Sequence, residues 1–118
     1  MTVRRVVPDL HGERPLESRA FYEDVIGLEM QMDMGWIATF VSPANETAQV
    51  TVMSTDVRAG VSPDLSIEVD DVEAVYSRAV AEGYQIVHGP ADEPWGVRRF
   101  FVRDPNGAVI NVMTHLPG

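Results

Sequence analysis

Residues 93–115 read EPWGVRRFFVRDPNGAVINVMTH and predict two strands joined by a tight turn. The turn is the tetrapeptide at 104–107, where Asp, Pro, Asn and Gly each favour a reversal of the chain. Strand-forming residues such as Val, Ile and Phe lie on both sides of it. This stretch decides the fold, because its last strand has a counterpart in the first half of the chain.

Two short segments of the sequence occur twice. VINVMT at 109–114 resembles QVTVMS at 49–54, and SPDL at 62–65 resembles VPDL at 7–10. Around these segments the predicted order of a strand, a helix and three strands is found twice. The repeat therefore predicts an α+β fold of two βαβββ modules, over about residues 1–56 and 62–118 of a single domain.

In the first module, the apolar spacing of LESRAFYEDVI predicts a short helix that starts near Pro15 and stops at Gly27. The next segment, LEMQMDM, alternates between apolar and polar residues and predicts a half-buried strand. Its apolar residues are expected on one side, as core or dimer contacts: Leu28, Met30, Met32 and Met34.

In the second module, DDVEAVYSRAVAEG predicts a helix with one apolar stripe. Asp70 and Glu73 fit a capping box at its start, and Gly83 fits its end. This module is longer than the first, and we place the extra residues in a loop, HGPADEPWG, at 88–96. We attribute the arginines of the following strand, Arg99 included, to ion pairing at the surface.

Three segments carry a resemblance to a known family: SRAFYEDVIGLE at 18–29, IEVDDVEAVYSRAVAEG at 67–83 and GPADEPWGVRRFFVRDPNGAVINV at 89–112. They resemble the vicinal oxygen chelate superfamily, which includes glyoxalase I, extradiol dioxygenases and bleomycin resistance proteins. The Glu-Pro-Trp-Gly stretch is most similar to the bleomycin-resistance branch. The resemblance implies two βαβββ modules whose curved sheets form a cleft, commonly in a homodimer, with the Trp95 loop over the cleft mouth.

Catalytic members of that superfamily hold a divalent metal through His, Glu or Gln on the first and last strands of the modules. The matching positions in this sequence are Asp64, Asn111, Thr51 and either Val7 or Asp9. Because this set lacks the expected ligands, the resemblance implies a site with no metal and no other cofactor. An alternative is a hard cation bound by oxygen atoms of Asp9, Asp64 and Glu68.

A cleft without a metal would be lined by apolar side chains with a few polar ones. The predicted ligand-binding residues are Trp36, Thr51, Met53, Asp64, Trp95, Phe101, Asn111 and Met113. Aromatic rings and flexible methionines suit a flat organic ligand. We therefore predict a homodimer that sequesters a small aromatic compound, cationic ones included, as in antibiotic resistance. The alternative is a divalent-metal-dependent lyase, isomerase or dioxygenase, and fold similarity alone does not choose between them.

The composition narrows the classes of function. The chain has 118 residues, a formal charge of -9 and no cysteine. The negative charge disfavours nucleic-acid binding, and the lack of cysteine excludes disulfides and thiolate metal sites. No apolar run approaches the roughly 18 residues of a membrane span. We therefore expect a cytoplasmic protein whose partner is a small molecule rather than nucleic acid or a membrane.

Overall fold

The structure, a computed structural model, describes residues 2–117. The first half contains β1 (Val3–His11), a 3-10 turn (Pro15–Ser18), a π-helical segment (Ala20–Ile26), β2 (Glu29–Asp33), β3 (Ile37–Val41) and β4 (Gln49–Met53). The second half contains β5 (Leu65–Val69), α1 (Val72–Ala81), β6 (Ile86–Glu93), β7 (Val97–Arg103) and β8 (Val109–His115). A strand, a helical segment and three strands occur twice, which confirms the α+β class and the two βαβββ modules.

The described residues cluster into two compact units. The first unit is Val7–Ser62, and the second takes the chain up to Val6 and from Pro63 onwards. The break at Ser62 coincides with the start of the second repeat, SPDL at 62–65. Strand β1 crosses the other boundary, so it supplies residues to both units.

The first unit contains four strands in the order β2-β3-β4-β1. β1 and β4 are parallel, and the other two pairs are antiparallel. Its buried core is formed by Ala38, Phe40 and Val52, and Tyr22 of the π-helical segment packs on them, with its ring centroid 5.2 Å from that of Phe40. Because side chains alternate along a strand, Thr39 lies on the opposite face of β3 from Ala38 and Phe40.

Strand β2 contains a β-bulge that the sequence pattern does not reveal. Met30 lies opposite Phe40, whereas Met32 lies opposite Thr39, and the register shifts between them. Adjacent residues of β3 point to opposite faces, so Met30 and Met32 do as well. The prediction that all these methionines share one side is therefore wrong: Met30 packs in the helix-side core, and Met32 does not.

The helical segment of the first unit departs from α-helical geometry. It runs between the predicted limits, but it consists of a 3-10 turn followed by seven π-helical residues. The N–H groups of Gly27 and Leu28 both donate to the carbonyl of Tyr22, at 3.1 and 2.8 Å. Gly27 ends the segment in the left-handed conformation, with φ of 96°, which glycine adopts without steric cost.

The second unit places strands in the order β5-β8-β7-β6, with β5 parallel to β8 and β7 antiparallel to both of its neighbours. Helix α1 covers one face of this sheet. Val69, Val72, Phe100 and Val112 form the buried core between them, and Tyr76 meets Phe100 edge to face. No helix within residues 2–117 is long and apolar enough to cross a membrane.

The N-terminus of α1 is capped by Asp71 rather than by the predicted Asp70. The Asp71 carboxylate accepts a hydrogen bond from the N–H of Ala74, at 3.1 Å. The Asp70 carboxylate instead accepts one from the N–H of Thr2, at 2.7 Å. The predicted capping box is wrong by one residue, because the first aspartate is engaged by the chain that leads into β1.

Strand β6 occupies most of the segment predicted as a long loop. It continues to Glu93, with shifts of register on both sides of His88. Gly89 lies close to the backbone of β7: a Cβ atom there would lie 2.5 Å from the carbonyl oxygen of Arg99. The extra residues of the second module therefore lengthen a hairpin, and only the turn around Trp95 separates its strands.

Candidate functional site

One face of the sheet in the second unit is turned away from α1 and carries polar and aromatic side chains. Phe100 and Val112 pack under α1, so their neighbours along β7 and β8 point to the other side. The register places Ser66 and Phe101 on either side of Asn111. We call this surface the Asn111 face, and it consists of Ser66, Glu68, Arg99, Phe101, Asn111, Met113 and His115.

Asn111 lies at the centre of this face with half of its amide unused. Its Nδ2 donates to Ser66 Oγ at 3.0 Å. Its Oδ1 is buried and has no hydrogen-bond partner among the described residues. The flanking side chains of Phe101 and Met113 are buried and apolar, so they cannot supply a strong donor. The amide oxygen is therefore an acceptor whose hydrogen-bonding capacity is unused within the described residues.

Glu68 and His115 form a pair near one end of the Asn111 face. Glu68 Oε2 lies 2.8 Å from His115 Nδ1, and Glu68 Oε1 accepts a hydrogen bond from Arg5 Nε at 2.6 Å. Burial by itself would raise the pKa of Glu68, but the hydrogen bond with His115 and the charge of Arg5 lower the pKa below its ordinary value. Glu68 is thus held as a carboxylate, and it orients the His115 ring.

A buried ion pair joins Arg99 of this face to Glu93 on β6. Glu93 Oε2 lies 2.6 Å from Arg99 Nε and 3.1 Å from His88 Nε2. The side chains of Arg99 and Glu93 are only 4% and 2% exposed. The prediction of surface ion pairing is therefore wrong for Arg99, because Glu93 supplies a counter-charge inside the hairpin.

Two aromatic rings flank the Arg99 guanidinium. Its central carbon lies 4.9 Å from the centroid of the Trp95 ring and 4.7 Å from that of Phe101. Trp95 is half-buried in the tight turn between β6 and β7, where the N–H of Gly96 donates to the carbonyl of Glu93. The structure therefore gives Trp95 a contact inside the hairpin, and its predicted role in ligand binding stays a prediction.

The predicted residues of the first unit lie on the face away from the π-helical segment. Thr51 and Met53 are buried and lie opposite Thr39 and Ile37 on β3. The Thr39 and Thr51 hydroxyls are 3.1 Å apart and hydrogen-bonded. Asp9 is buried opposite Thr51 on β1. This unit thus brings together two of the predicted residues and Asp9 on one face.

Trp36 and Asp64 have structural contacts of their own. The Trp36 carbonyl accepts a hydrogen bond from the N–H of Ser54 at 2.9 Å. Asp64 is exposed and holds the start of β8: its N–H donates to the carbonyl of Val109 at 2.8 Å, and its carboxylate accepts from the N–H of Val109 at 2.9 Å. This double contact occupies the carboxylate oxygen nearest the strand.

The side chains at the positions expected for metal ligands do not fit a transition-metal site. The second unit offers the Asn111 amide and the Asp64 carboxylate, which is already bonded to a backbone N–H. The first unit offers the Thr51 hydroxyl together with either the aliphatic Val7 or the buried Asp9 carboxylate opposite Thr51. Within residues 2–117, no three His, Cys, Asp or Glu side chains group in a way that could hold an ion. Neutral oxygen donors bind such metals weakly.

The residues that sequence reasoning missed are those of the buried pair, Arg99, Glu93 and His88. A signal for Arg99 was present, since every second residue from 95 to 101 lies on its side of the strand, and the others are of types that are often buried: Trp95, Val97 and Phe101. The partners were not recognisable, because Glu93 and His88 were assigned to a loop. A charged residue that shares one face of a strand with aromatic and aliphatic residues indicates a buried counter-charge on the neighbouring strand.

Comparison with known proteins agrees with this architecture. A family model described as the Glyoxalase/Bleomycin resistance protein/Dioxygenase superfamily matches residues 10–112. No curated protein sequence matches the chain. The solved structures similar to this chain include the following three, all at low sequence identity.

A methylmalonyl-CoA epimerase from Mycobacterium tuberculosis has a TM-score of 0.67 and 19% identity, over 98% of this chain and 88% of that one. A Mn(II)-bound glyoxalase from Novosphingobium aromaticivorans has a TM-score of 0.64 and 22% identity, over 95% of this chain and 38% of the other. A superfamily member from Vibrio splendidus 12B01 has a TM-score of 0.64 and 19% identity, over 96% and 99%. At such identities the structures show the shared fold and no particular activity. The family model spans most of the sequence, and the chain belongs to the Glyoxalase/Bleomycin resistance protein/Dioxygenase superfamily.

Proposed function

We propose that this protein binds a small organic molecule at the Asn111 face and releases it unchanged. The observation that carries the proposal is the buried Oδ1 atom of Asn111, which has no partner among the described residues. A buried polar atom left without a hydrogen bond costs about 1–3 kcal/mol. A ligand that brings an N–H or O–H group to this atom recovers that free energy, so binding is favoured.

The neighbouring side chains suggest the shape of the ligand. Phe101 and Met113 are buried beside Asn111 and present an aromatic ring and a flexible thioether. Such side chains pack well against a flat aromatic body. The formal charge of -9 attracts cations to the protein. A planar aromatic compound with amino groups, cationic ones included, satisfies these conditions.

The donor set favours binding over metal-dependent catalysis. A divalent-metal-dependent lyase, isomerase or dioxygenase needs ligands that hold the ion while the substrate coordinates. Asn111 and Thr51 are weak ligands, and Asp64 is bonded to the backbone of β8. Asp9 is the one further carboxylate at these positions, and it lies opposite Thr51 in the first unit. The metal-dependent enzyme is therefore the alternative against which the proposal is tested.

The same proposal extends to the assembly of the protein and to its role in the cell. We propose that the protein acts as a cytoplasmic homodimer, and that sequestration of a toxic aromatic compound is the use of the site, as in antibiotic resistance. Sequestration works by mass action, since the fraction of compound bound depends on affinity and protein concentration. Size-exclusion chromatography with light scattering measures whether the chain forms a dimer.

Two related dyes test the hydrogen bond to Asn111. Proflavine is planar, cationic and carries two amino groups, while acridine orange carries dimethylamino groups that have no N–H. Dye anisotropy measures binding of each to the purified protein. We expect proflavine to bind at least about five-fold more tightly, the contribution of one hydrogen bond. Asn111→Leu should abolish this preference, and Asn111→Asp, which keeps an acceptor, should retain it.

The controls separate a failed proposal from a damaged protein. Thermal unfolding of both variants shows whether the fold survives the substitution. If neither dye binds the folded protein, or if Asn111→Leu leaves the preference intact, the proposal is wrong. Metal analysis of protein purified without chelator gives the second arm, because stoichiometric manganese, iron, nickel or zinc would support the enzyme alternative.

A further inference from the structure

A groove lies on the other face of the second unit, beside α1. Its volume is about 780 Å³, and it runs between α1 and strands β7 and β8. Small-molecule sites have volumes of roughly 300–1,000 Å³. Val102 and Ile110 form its floor, and they alternate along their strands with Phe101 and Asn111. The groove and the Asn111 face are therefore on opposite sides of the sheet.

The lining of the groove is mainly apolar. Besides the floor, α1 contributes Val75 and Ala79, and the chain after the helix contributes Tyr84. Helix α1 ends at Ala81, so this end of the sheet is not covered by a further helical turn. Tyr84, which follows the helix, is 45% exposed. An apolar groove that is open to solvent favours the burial of the apolar part of a ligand.

Two arginines lie at the rim of this groove. The Arg103 side chain makes one hydrogen bond among the described residues, from Nη1 to the carbonyl of Gly107 at 2.9 Å. A guanidinium has five N–H donors, so four of those of Arg103 have no hydrogen-bond partner among the described residues. Arg78 pairs with Glu82 at 2.6 Å, but its side chain is 77% exposed, and an exposed ion pair is weak.

Two carboxylates lie at the same rim, so the four charged side chains that line the groove carry no net charge. Asp104 Oδ1 accepts hydrogen bonds from the N–H groups of Asn106 and Ala108, at 2.8 and 3.0 Å, so it serves the turn before β8. The ion pair between Arg78 and Glu82 can be replaced by contacts with water at little cost in free energy, because both side chains are exposed. An incoming carboxylate can therefore use the remaining N–H groups of Arg103, and it reaches Arg78 by replacing Glu82.

We infer that this groove binds a small amphipathic carboxylate, with its apolar body on Val102, Ile110 and Tyr84 and its carboxylate at Arg103 and Arg78. The charge complementarity is specific, because guanidinium groups bind carboxylates through paired N–H donors. An uncharged molecule with the same body gains only the apolar contact. This site is independent of the aromatic ligand proposed for the Asn111 face.

Octanoate and octan-1-ol form a matched pair of probes for this site. Both are titrated into the ¹⁵N-labelled full-length protein, and amide chemical shifts report affinity and location. We expect octanoate to shift amides of α1, β7 and the 104–107 turn, and to bind about five-fold more tightly than octan-1-ol. Residues of the first unit should not respond.

Variants test the two halves of the site separately. Arg103→Gln and Arg78→Gln should each weaken octanoate binding about three-fold or more and leave octan-1-ol unaffected. Arg14→Gln is the matched control, because Arg14 is similarly exposed, at 76%, and lies in the first unit. Ala81 is exposed and lines the groove. Ala81→Trp should weaken the binding of both probes, because the larger side chain would fill the groove.

Three results would overturn the inference. Octanoate could shift no groove amide at millimolar concentration, it could bind no better than octan-1-ol, or Arg14→Gln could weaken it as much as Arg103→Gln. The last result would mean that octanoate responds to the charge of the whole protein. The spectra themselves show that each variant is folded, so a loss of binding is not confused with a loss of structure.

Discussion

Arg99 and Glu93 face each other across the β6–β7 hairpin as an ion pair almost wholly removed from water. Glu93 Oε2 lies 2.6 Å from Arg99 Nε and 2.5 Å from Nη2. The two residues are 3% and 5% exposed. Two buried charges are tolerated only because each compensates the other, and the flanking Trp95 and Phe101 rings add cation–π contact.

The first prediction concerns the loss of one partner of this pair. Glu93→Gln removes the carboxylate that pairs with the buried Arg99 guanidinium, and we expect the free energy of unfolding to fall by about 3–5 kcal/mol. Urea denaturation followed by circular dichroism measures it. Asp92→Asn is the control, because Asp92 pairs with Arg98 at the surface with 62% of its side chain exposed, and such pairs contribute up to about 1 kcal/mol. Equal effects of the two substitutions would contradict the burial of Glu93.

The second prediction concerns the close approach of β6 to β7 at Gly89. Gly89→Ala should lower the free energy of unfolding by more than about 3 kcal/mol, because the new Cβ would lie 2.5 Å from the Arg99 carbonyl oxygen at a φ of +76°. Gly107→Ala is the comparison: its φ is +89°, but no atom lies within 4 Å of the added Cβ. It should cost only about 1–2 kcal/mol. If both variants lose the same stability, backbone conformation alone explains the glycine.

The third prediction is a dependence of stability on pH through Glu68. Its pKa is lowered in the folded protein from the ordinary value of 4.5, so the folded state binds the proton less readily than the unfolded state. The stabilisation is therefore present above pH 4.5 and is lost as the pH falls through the lower folded value. Glu68→Gln removes this contribution, so its stability should fall less steeply than that of the parent between pH 5 and pH 3, in roughly the range where carboxylates titrate.

Urea unfolding at several pH values checks this dependence. His115→Ala should weaken the effect without abolishing it, because Arg5 still contacts Glu68 at 2.6 Å. Glu29→Gln, at an exposed position of β2, serves as the comparison. A parent and a Glu68→Gln variant that lose stability in parallel as the pH falls would contradict the prediction.

The periodicity of the sequence was sufficient for the fold class and the repeat. Apolar and polar residues alternate in IEV at 67–69 and INV at 110–112, and α1 has an apolar stripe with a period of 3.6 residues. These patterns show which side chains are buried, so the local sequence is sufficient to predict these elements. The bulge in β2 could not be predicted in this way. It moves Met32 to the other face without any change of composition, because its cause is the pairing with β3.

The alternation of side chains along the strands predicts the candidate site only in part. Phe101, Asn111 and Met113 share a face because strands alternate, and the sequence predicts this directly. The pairing of Glu93 with Arg99 depends on a hairpin that extends through an apparent loop, and Gly89 and Pro90 concealed that strand. The use of the Asp64 carboxylate by a backbone N–H depends on the register of two strands distant in sequence.

The last prediction separates two roles for Trp95. Its ring lies 4.9 Å from the Arg99 guanidinium carbon, and it is half-buried in the turn. If this contact stabilises the hairpin, Trp95→Ala should lower the free energy of unfolding by about 2 kcal/mol, since it loses the cation–π contact and the buried ring area together. Trp95→Phe should recover about half of that loss, because phenylalanine keeps a ring face for Arg99. Urea denaturation by circular dichroism measures both variants. A Trp95→Ala variant as stable as the parent would contradict the structural role, and weaker proflavine binding by such a variant would then assign Trp95 to the ligand.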